Sequence, residues 1–294
     1  MLVLLLYCMN LNINNLKKIM MKKTILYISI LLLGIVSCSK TAIEDLEPIV
    51  EFVTIPDANF EKELVIQGLD SDGLVNQKML KTDAEKVSKL SLYSKGINSL
   101  DGIKFFTNLK RLYADANYLT NVDLSNNILL DTISLTANDL TNIKGIDKAK
   151  NLVWLSLSYN YFTEFTLDND NVKNFLMDHN DLVSLEISNA PKLESAKLNI
   201  NKIQSLDFSN SPLLKVLIFS ANKVKSINFD NNLNLEYIYC SSNLFTEFDL
   251  SKLTKLIDVR VDRNPTLTCI KVAAGQQIPT LKLSDYQTAN VNCN

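Results

Sequence analysis

Residues suited to catalysis or metal binding are few in this chain. Its one histidine, His179, lies next to Asp178. Adjacent residues on a strand point to opposite sides, so this pair predicts a surface or turn histidine rather than an acid–base dyad. The chain has no GxSxG, HExxH, glycine-rich phosphate-loop or paired-carboxylate motif. The five cysteines form no CxxC or Cys/His cluster: Cys8, Cys38, Cys240, Cys269 and Cys293. We therefore expect no catalytic residue, no metal site and no cofactor, and a hydrolase is the less favoured alternative.

The charge is unevenly distributed along the 294 residues. Four of the 30 Lys and Arg residues lie in the first 37 positions, where there is no acidic residue, which leaves 26 against 32 acidic residues in the remainder. Phosphate neutralisation by Lys and Arg supplies most of the affinity for nucleic acids. An acidic chain without a basic run is therefore not expected to bind one.

The N-terminal region has the features of an export signal. Met21-Lys22-Lys23 is followed by an apolar segment from Ile25 to Val36, which is too short for an ordinary span of about 20 residues. Its end, Ile35-Val36-Ser37-Cys38-Ser39, resembles the lipobox of bacterial lipoproteins. The resemblance implies that Cys38 is lipidated and becomes the mature N-terminus. An uncleaved anchor helix and an ordinary signal peptide remain alternatives, and Met20 or Met21 is a candidate start.

A short polar segment follows Cys38 and ends at Pro48. Its acidic residues, Glu44, Asp45 and Glu47, resemble loosely the surface-export signal of Bacteroidetes lipoproteins. The resemblance implies an outer-membrane lipoprotein, held to the membrane by its lipid and exposed at the cell surface. Several acyl chains on one cysteine would anchor it stably.

Most of the remaining chain repeats with a period of 20 to 22 residues. The clearest column is one of asparagines: Asn117, Asn138, Asn160, Asn180, Asn201, Asn222, Asn243 and Asn264. The aligned copies, such as NLKRLYADANYL and LLKVLIFSANKV, match the leucine-rich-repeat pattern LxxLxLxxNxL. They resemble the internalin-like solenoids found among Bacteroidetes surface lipoproteins, and the resemblance extends from about residue 53 to the C-terminus.

The alternation around the LxL pair predicts a short strand with one buried face in each copy. A single copy cannot bury its apolar side, so stacked copies must share one interior. The asparagine amides are predicted to satisfy backbone groups of the turn, forming a structural ladder. The expected fold is an α/β repeat solenoid, a leucine-rich-repeat arc with a parallel sheet on its concave face. Extended segments and 3₁₀ turns are expected on the other side.

Both ends of a solenoid need caps. The first predicted helix follows Asp57 as N-cap, and a second is predicted over residues 76–87. The loop between them, 68–75, places Gly68 and Met79 at the end positions of a calcium loop, which argues against calcium there. After the last copy, Cys269 and Cys293 bracket a stretch without the repeat, and the family resemblance implies a disulfide between them.

Cys240 occupies a leucine position of the repeat and is predicted to be a buried free thiol, with a bridge as the alternative.

The expected organisation is a leader (1–37), a lipidated tether (38–50), a helical N-terminal cap (51–86), the repeats (87–268) and a disulfide-closed C-terminal cap (269–294).

Residues flanking the LxL pair should face outward from the concave sheet. Several are apolar, aromatic or basic where the pattern predicts exposure, and we select them as candidate partner contacts: Tyr113, Trp154, Leu176, Val216, Ile218, Tyr237, Tyr239 and Arg260. A register error or packing by an end cap would instead place some in the core. Ser, Thr and Asn dominate the middle copies, which suits a polar partner. The expected function is binding of a protein or glycan by a monomer, and a structural envelope lipoprotein without a ligand is the alternative.

Overall fold

The computed structural model describes residues 50–293, where short parallel strands recur at the period of the asparagine column. The predicted leader and Cys38 lie outside the described residues. Within them, no helix combines the length and the apolar character needed to cross a membrane.

Ten parallel strands form the main sheet. They are β3 (Lys89–Ser91), β4 (Arg111–Tyr113), β6 (Thr132–Ser134), β8 (Trp154–Ser156), β10 (Asn174–Leu176), β12 (Ser195–Lys197), β13 (Val216–Ile218), β14 (Tyr237–Tyr239), β15 (Asp258–Arg260) and β17 (Thr280–Lys282). Neighbouring strands pair in register, so Val216 lies beside Tyr237 and Ile218 beside Tyr239. In β13 and β14 the central residue is fully buried and its two neighbours are half-buried, as the alternation predicts. The predicted leucine-rich-repeat solenoid is thereby confirmed.

The opposite side of each turn carries mostly extended backbone, as predicted for so short a repeat. Its strands pair in parallel, β5 (Asn121–Asp123) with β7 (Asn142–Lys144), β9 (Glu164–Asp168) with β11 (Ser184–Asn189), and β16 (Cys269–Lys271) with β18 (Thr288–Asn290). A 3₁₀ turn spans Ile103–Phe105. The leucine columns fill the space between the two sides, and Phe219 and Phe245 pack edge to face within it.

The predicted asparagine ladder is present, and all eight of its members are buried. At Asn201 the amide nitrogen donates to the carbonyls of Met177 and Leu198 at 2.9 and 3.1 Å, and Oδ1 accepts from the backbone N–H of Leu182 at 3.0 Å. Each amide thus joins its own turn, or rung, of the solenoid to the preceding one. A second internal ladder lies on the far side, where Asn232 donates to the carbonyls of Phe208 and Ser211, both at 2.9 Å.

The residue before each ladder asparagine has a left-handed backbone, with φ between 53° and 58°. These residues are Ala116, Ala137, Tyr159, His179, Ile200, Ala221, Ser242 and Arg263. A non-glycine residue in this region costs about 1–2 kcal/mol, so the surrounding hydrogen bonds must hold it there. His179 belongs to this column, and its ring stacks on Tyr159 with 4.1 Å between centroids. The prediction of a turn histidine is therefore confirmed.

The N-terminal cap begins with the predicted helix, Ala58–Ile66. Asp57 Oδ1 accepts from the backbone N–H groups of Asn59 and Phe60, whereas Oδ2 accepts from those of Asn98 and Ser99 in the first rung. The side chain therefore caps the helix and joins it to the repeats. Burial opposes its ionisation, but these four backbone donors outweigh burial and lower the pKa of Asp57.

The second predicted helix is largely wrong. Residues 78–80 form a strand, β2 (Lys78–Leu80), which pairs antiparallel with β1 (Phe52–Thr54). Only one helical turn, Lys81–Ala84, follows. The buried Met79 pairs across the strands with Val53. This pairing between distant segments overrides the local helical pattern of residues 76–87.

The C-terminal segment is less irregular than the sequence indicates. It contributes β17, the tenth strand of the main sheet, so 269–294 is not free of repeat structure. Gln287 replaces the ladder asparagine and donates to the carbonyl of Val261 at 3.2 Å.

The implied disulfide joins Cys269 to Cys293, with 5.6 Å between their Cα atoms. Cys240 is fully buried and is the free thiol among the described residues, as predicted. Burial, and then the charge of Asp262, raise the pKa of this thiol.

Candidate binding surface

The strands of the main sheet display two outward-facing columns of side chains, one before and one after each buried central residue. The first column includes Trp154, Val216 and Tyr237, and the second includes Tyr113, Leu176, Ile218, Tyr239 and Arg260. All eight candidate contacts are half-buried or exposed, so none belongs to the core. The alternative of a register error therefore does not apply to them.

Four of the candidates lie together in a shallow depression of about 470 Å³ on β10 to β14, which we call the aromatic depression. Val216 and Ile218 form part of its floor beside Tyr237 and Tyr239. Its other lining residues were not selected from the sequence: Asn174, Glu194, Ser195, Lys197 and Lys215. The depression therefore combines an apolar and aromatic centre with a charged margin.

Tyr239 is held in place by its neighbours on the next strand. Its hydroxyl donates to Asp258 Oδ2 at 2.8 Å, and the Arg260 guanidinium donates to the same oxygen at 2.9 Å. The guanidinium carbon lies 4.3 Å from the centroid of the Tyr239 ring. Arg260 lowers the pKa of Asp258, whereas burial and the hydrogen bond to Asp258 raise the pKa of Tyr239. The tyrosine is therefore a fixed, uncharged ring at the edge of the depression.

A line of alternating charges borders the other side. Glu194 bridges Lys215 and Lys173, with N–O distances of 3.0 and 3.1 Å. These two ammonium groups, Lys215 first, lower the pKa of Glu194. The three residues occupy one repeat column, each immediately before one of three successive strands. Comparison of that column across copies would have found them in the sequence.

Of the four other candidates, Arg260 contacts Tyr239 at the edge of the aromatic depression, and the remaining three lie apart from it. Leu176 is separated from Ile218 by Lys197, since β12 lies between their strands. Trp154, with 40% of its surface exposed, lies three strands from Val216, or roughly 14 Å at the usual strand spacing. Tyr113 is six strands from Tyr239, roughly 29 Å away, where Lys89 lies over its ring. The eight candidates therefore do not form one patch.

The polar residues of the middle copies are less available than the sequence suggests. Ser156 and Ser158 are each only 5% exposed. The hydroxyl of Thr136 bonds to that of Ser156 at 2.7 Å, and Ser158 Oγ accepts from the backbone N–H of Asp178 at 3.1 Å. These side chains link rungs to one another. The hydrogen-bonding surface expected for a polar partner is correspondingly reduced.

Solved structures of leucine-rich-repeat proteins share this fold. The functional domain of InlJ from Listeria monocytogenes matches with a TM-score of 0.56 and 22% identity over 76% of this chain. The match covers 57% of the InlJ chain, so this protein spans little more than half of that length. Internalin C2 from the same organism matches over 79% of this chain and 95% of its own, with a TM-score of 0.52 and 17% identity.

A chain of the LRIM1/APL1C complex matches with a TM-score of 0.53 and 22% identity, over 71% of this chain and 43% of its own. No family model matches the sequence, and no curated protein does. The likeness therefore concerns the fold alone: the structural neighbours of this chain are leucine-rich-repeat proteins of the internalin type.

Proposed function

We propose that this chain is a non-enzymatic binding protein that holds a protein partner against the aromatic depression. The observation that carries the proposal is the clustering of Val216, Ile218, Tyr237 and Tyr239 on an outward-facing sheet. Residues in these columns need not be apolar to build the solenoid, because the leucines behind them already form its interior. Exposed apolar and aromatic groups of this kind are characteristic of interaction sites.

The composition of the surface favours a protein over a glycan. An apolar centre with a charged margin matches the usual anatomy of a protein interface. The Ser and Thr hydroxyls that would serve a glycan instead link rungs. The name of one structural neighbour, the LRIM1/APL1C complex, describes that protein in association with another protein. We extend only this general mode, recognition through a repeat surface, to the present chain.

The N-terminal sequence supports a proposal for the location. We propose that Cys38 is lipidated, that the chain is a lipoprotein of the Bacteroidetes type in the outer membrane, and that the repeats face outward from the cell. We further propose that it acts as a monomer. Protease treatment of intact cells tests the orientation, because only a surface-exposed repeat domain would be cleaved.

The binding proposal is tested by crosslinking on intact cells with the full chain as bait. A Tyr237→Ala/Tyr239→Ala variant should lose at least one specific crosslinked protein that the unaltered chain retains. Tyr118→Ala is the matched control, since Tyr118 is 61% exposed but lies outside the aromatic depression. Circular dichroism of all three proteins verifies that each is folded.

The results separate three functions. Loss of a partner in the double variant alone supports the proposal. A partner that both variants retain places recognition elsewhere on the protein. A partner released by glycosidase treatment favours the glycan alternative, and the absence of any saturable partner favours a structural envelope lipoprotein.

A further inference from the structure

Three polar side chains at one end of the aromatic depression make no hydrogen bond to any side chain or backbone group of residues 50–293. Asn174 and Ser195 are register partners in the first outward-facing column, on β10 and β12, and Lys197 follows in the second column of β12. All three line the depression and are half-buried. Their amide, hydroxyl and ammonium groups can each donate a hydrogen bond, so this polar end offers three free donors.

The charge of Lys197 is not balanced by a neighbour. Three charged residues line the depression, and two of them, Glu194 and Lys215, form a salt bridge of 3.0 Å with each other. Lys197 forms no salt bridge within the described part of the chain, and its two neighbours in the column are apolar. A half-buried ammonium group in this position lacks the counter-ion that a desolvated charge requires. The polar end therefore favours a ligand with a negative charge.

The opposite end of the depression is aromatic. Val216 and Ile218 on β13 separate the polar end from Tyr237 and Tyr239 on β14. The strands β12 and β14 are two strand spacings apart, which is roughly 10 Å. Three residues of extended chain cover about 10 Å as well. An extended segment that crosses the sheet therefore reaches both ends with residues three positions apart.

On the basis of the proposed function, we propose that the aromatic depression recognises an extended segment of its protein partner with an acidic residue three positions from an aromatic or aliphatic one. The carboxylate accepts hydrogen bonds from Lys197, Ser195 and Asn174, and the apolar side chain packs against Tyr237 and Tyr239. Charge-assisted hydrogen bonds to a carboxylate are stronger than neutral ones. A neutral amide in place of the carboxylate would leave the Lys197 ammonium without a counter-ion.

Two short peptides test this specificity. Both consist of Gly and Ser except for one Phe and, three positions before it, either Glu or Gln. Each is titrated into the isotope-labelled full chain, and the backbone amide shifts are followed by NMR. The Glu peptide should bind about five- to tenfold more tightly than the Gln peptide, with shift changes concentrated on β10 to β14. High NaCl should reduce this preference, because salt screens the ion pair.

Variants of the chain assign the preference to one side chain. Lys197→Gln should bind the two peptides equally, whereas Lys197→Arg should keep the preference for Glu. Lys282→Gln is the matched control, since Lys282 lies in the same outward-facing column on β17, roughly 19 Å away, and it should keep the preference too. Tyr237→Ala/Tyr239→Ala should weaken the binding of both peptides, because it removes the apolar contact that they share.

Equal affinity of the two peptides for the unaltered chain, the absence of saturable shift changes, or a preference for Glu that persists in Lys197→Gln would each overturn this specificity. The proposed function would still stand if Tyr237→Ala/Tyr239→Ala lost its crosslinked partner on intact cells. Failure of the acidic specificity is therefore distinguishable from failure of the binding proposal itself.

Discussion

The asparagine ladder makes a quantitative prediction at Asn201. Replacement by alanine removes three donated hydrogen bonds and one accepted bond. The three carbonyls keep another donor: Met177 accepts from Asn180 at 3.3 Å, Leu198 from Asn222 at 2.9 Å, and Asn199 from the backbone N–H of His179 at 2.8 Å. The backbone N–H of Leu182 has no other acceptor, so the substitution leaves it buried and unpaired.

The cost follows from this asymmetry. An unpaired buried N–H costs about 1–3 kcal/mol, and each lost but shared hydrogen bond adds about 0.5–1 kcal/mol. Asn201→Ala should therefore lower the free energy of unfolding by about 3 kcal/mol. The control is the exposed Asn210, whose amide makes only long hydrogen bonds of 3.2 and 3.3 Å. Asn210→Ala should change the free energy of unfolding by less than about 0.5 kcal/mol.

Equilibrium unfolding in urea measures both variants, and hydrogen exchange reports on the Leu182 amide directly. In Asn201→Ala that amide should exchange much faster than in the unaltered chain, whereas amides of distant rungs should change little. Equal urea midpoints for the two variants, or a Leu182 amide that stays protected, would refute the inference that the cost arises mainly from an unpaired Leu182 N–H.

Two further predictions concern the cap and a tight turn. Asp57→Asn keeps one capping oxygen but loses the acceptor for two backbone N–H groups, so it should cost about 1–2 kcal/mol at pH 7. Because the folded pKa of Asp57 is lowered, its contribution is present above the unfolded value and is lost as pH falls through the folded one; urea midpoints of the two proteins should converge in acid. Gly145 has φ of 87°, and a Cβ there would lie 2.4 Å from the backbone nitrogen of Ser125. Gly145→Ala should therefore cost more than about 2 kcal/mol, whereas Gly275→Ala, also left-handed but with open space around it, should cost less by thermal unfolding.

The repeat period made the solenoid predictable. An LxL pair specifies which face of a strand is buried, and Asn at a constant distance specifies the turn that follows. Both are local rules, repeated often enough to define the register between rungs. The Asp57 cap was predictable for the same reason, although its second role toward Asn98 and Ser99 depends on tertiary contact.

Features set by non-local contacts were not predictable. The pairing of β1 with β2 joins segments with a helix between them, and it replaced most of a predicted helix. The left-handed column has no shared residue type, since Ile200 and Arg263 both occupy it. The sequence identified the two outward-facing columns, but it did not show which of the candidate residues lie next to one another. Their proximity depends on the strand order and on neighbours such as Lys197, which separates Leu176 from Ile218.

Gln287 ends the internal ladder of amides with a different hydrogen bond. Its Oε1 accepts from Ser284 in its own rung at 2.8 Å, whereas each inner asparagine accepts from the rung before it. The Gln287 side chain is one methylene longer than that of asparagine, and its oxygen accepts from a backbone N–H of its own rung instead of the preceding rung. A longer protein could therefore be engineered by inserting copies between existing rungs. Copies placed after Gln287 would find its Oε1 already bonded within its own rung.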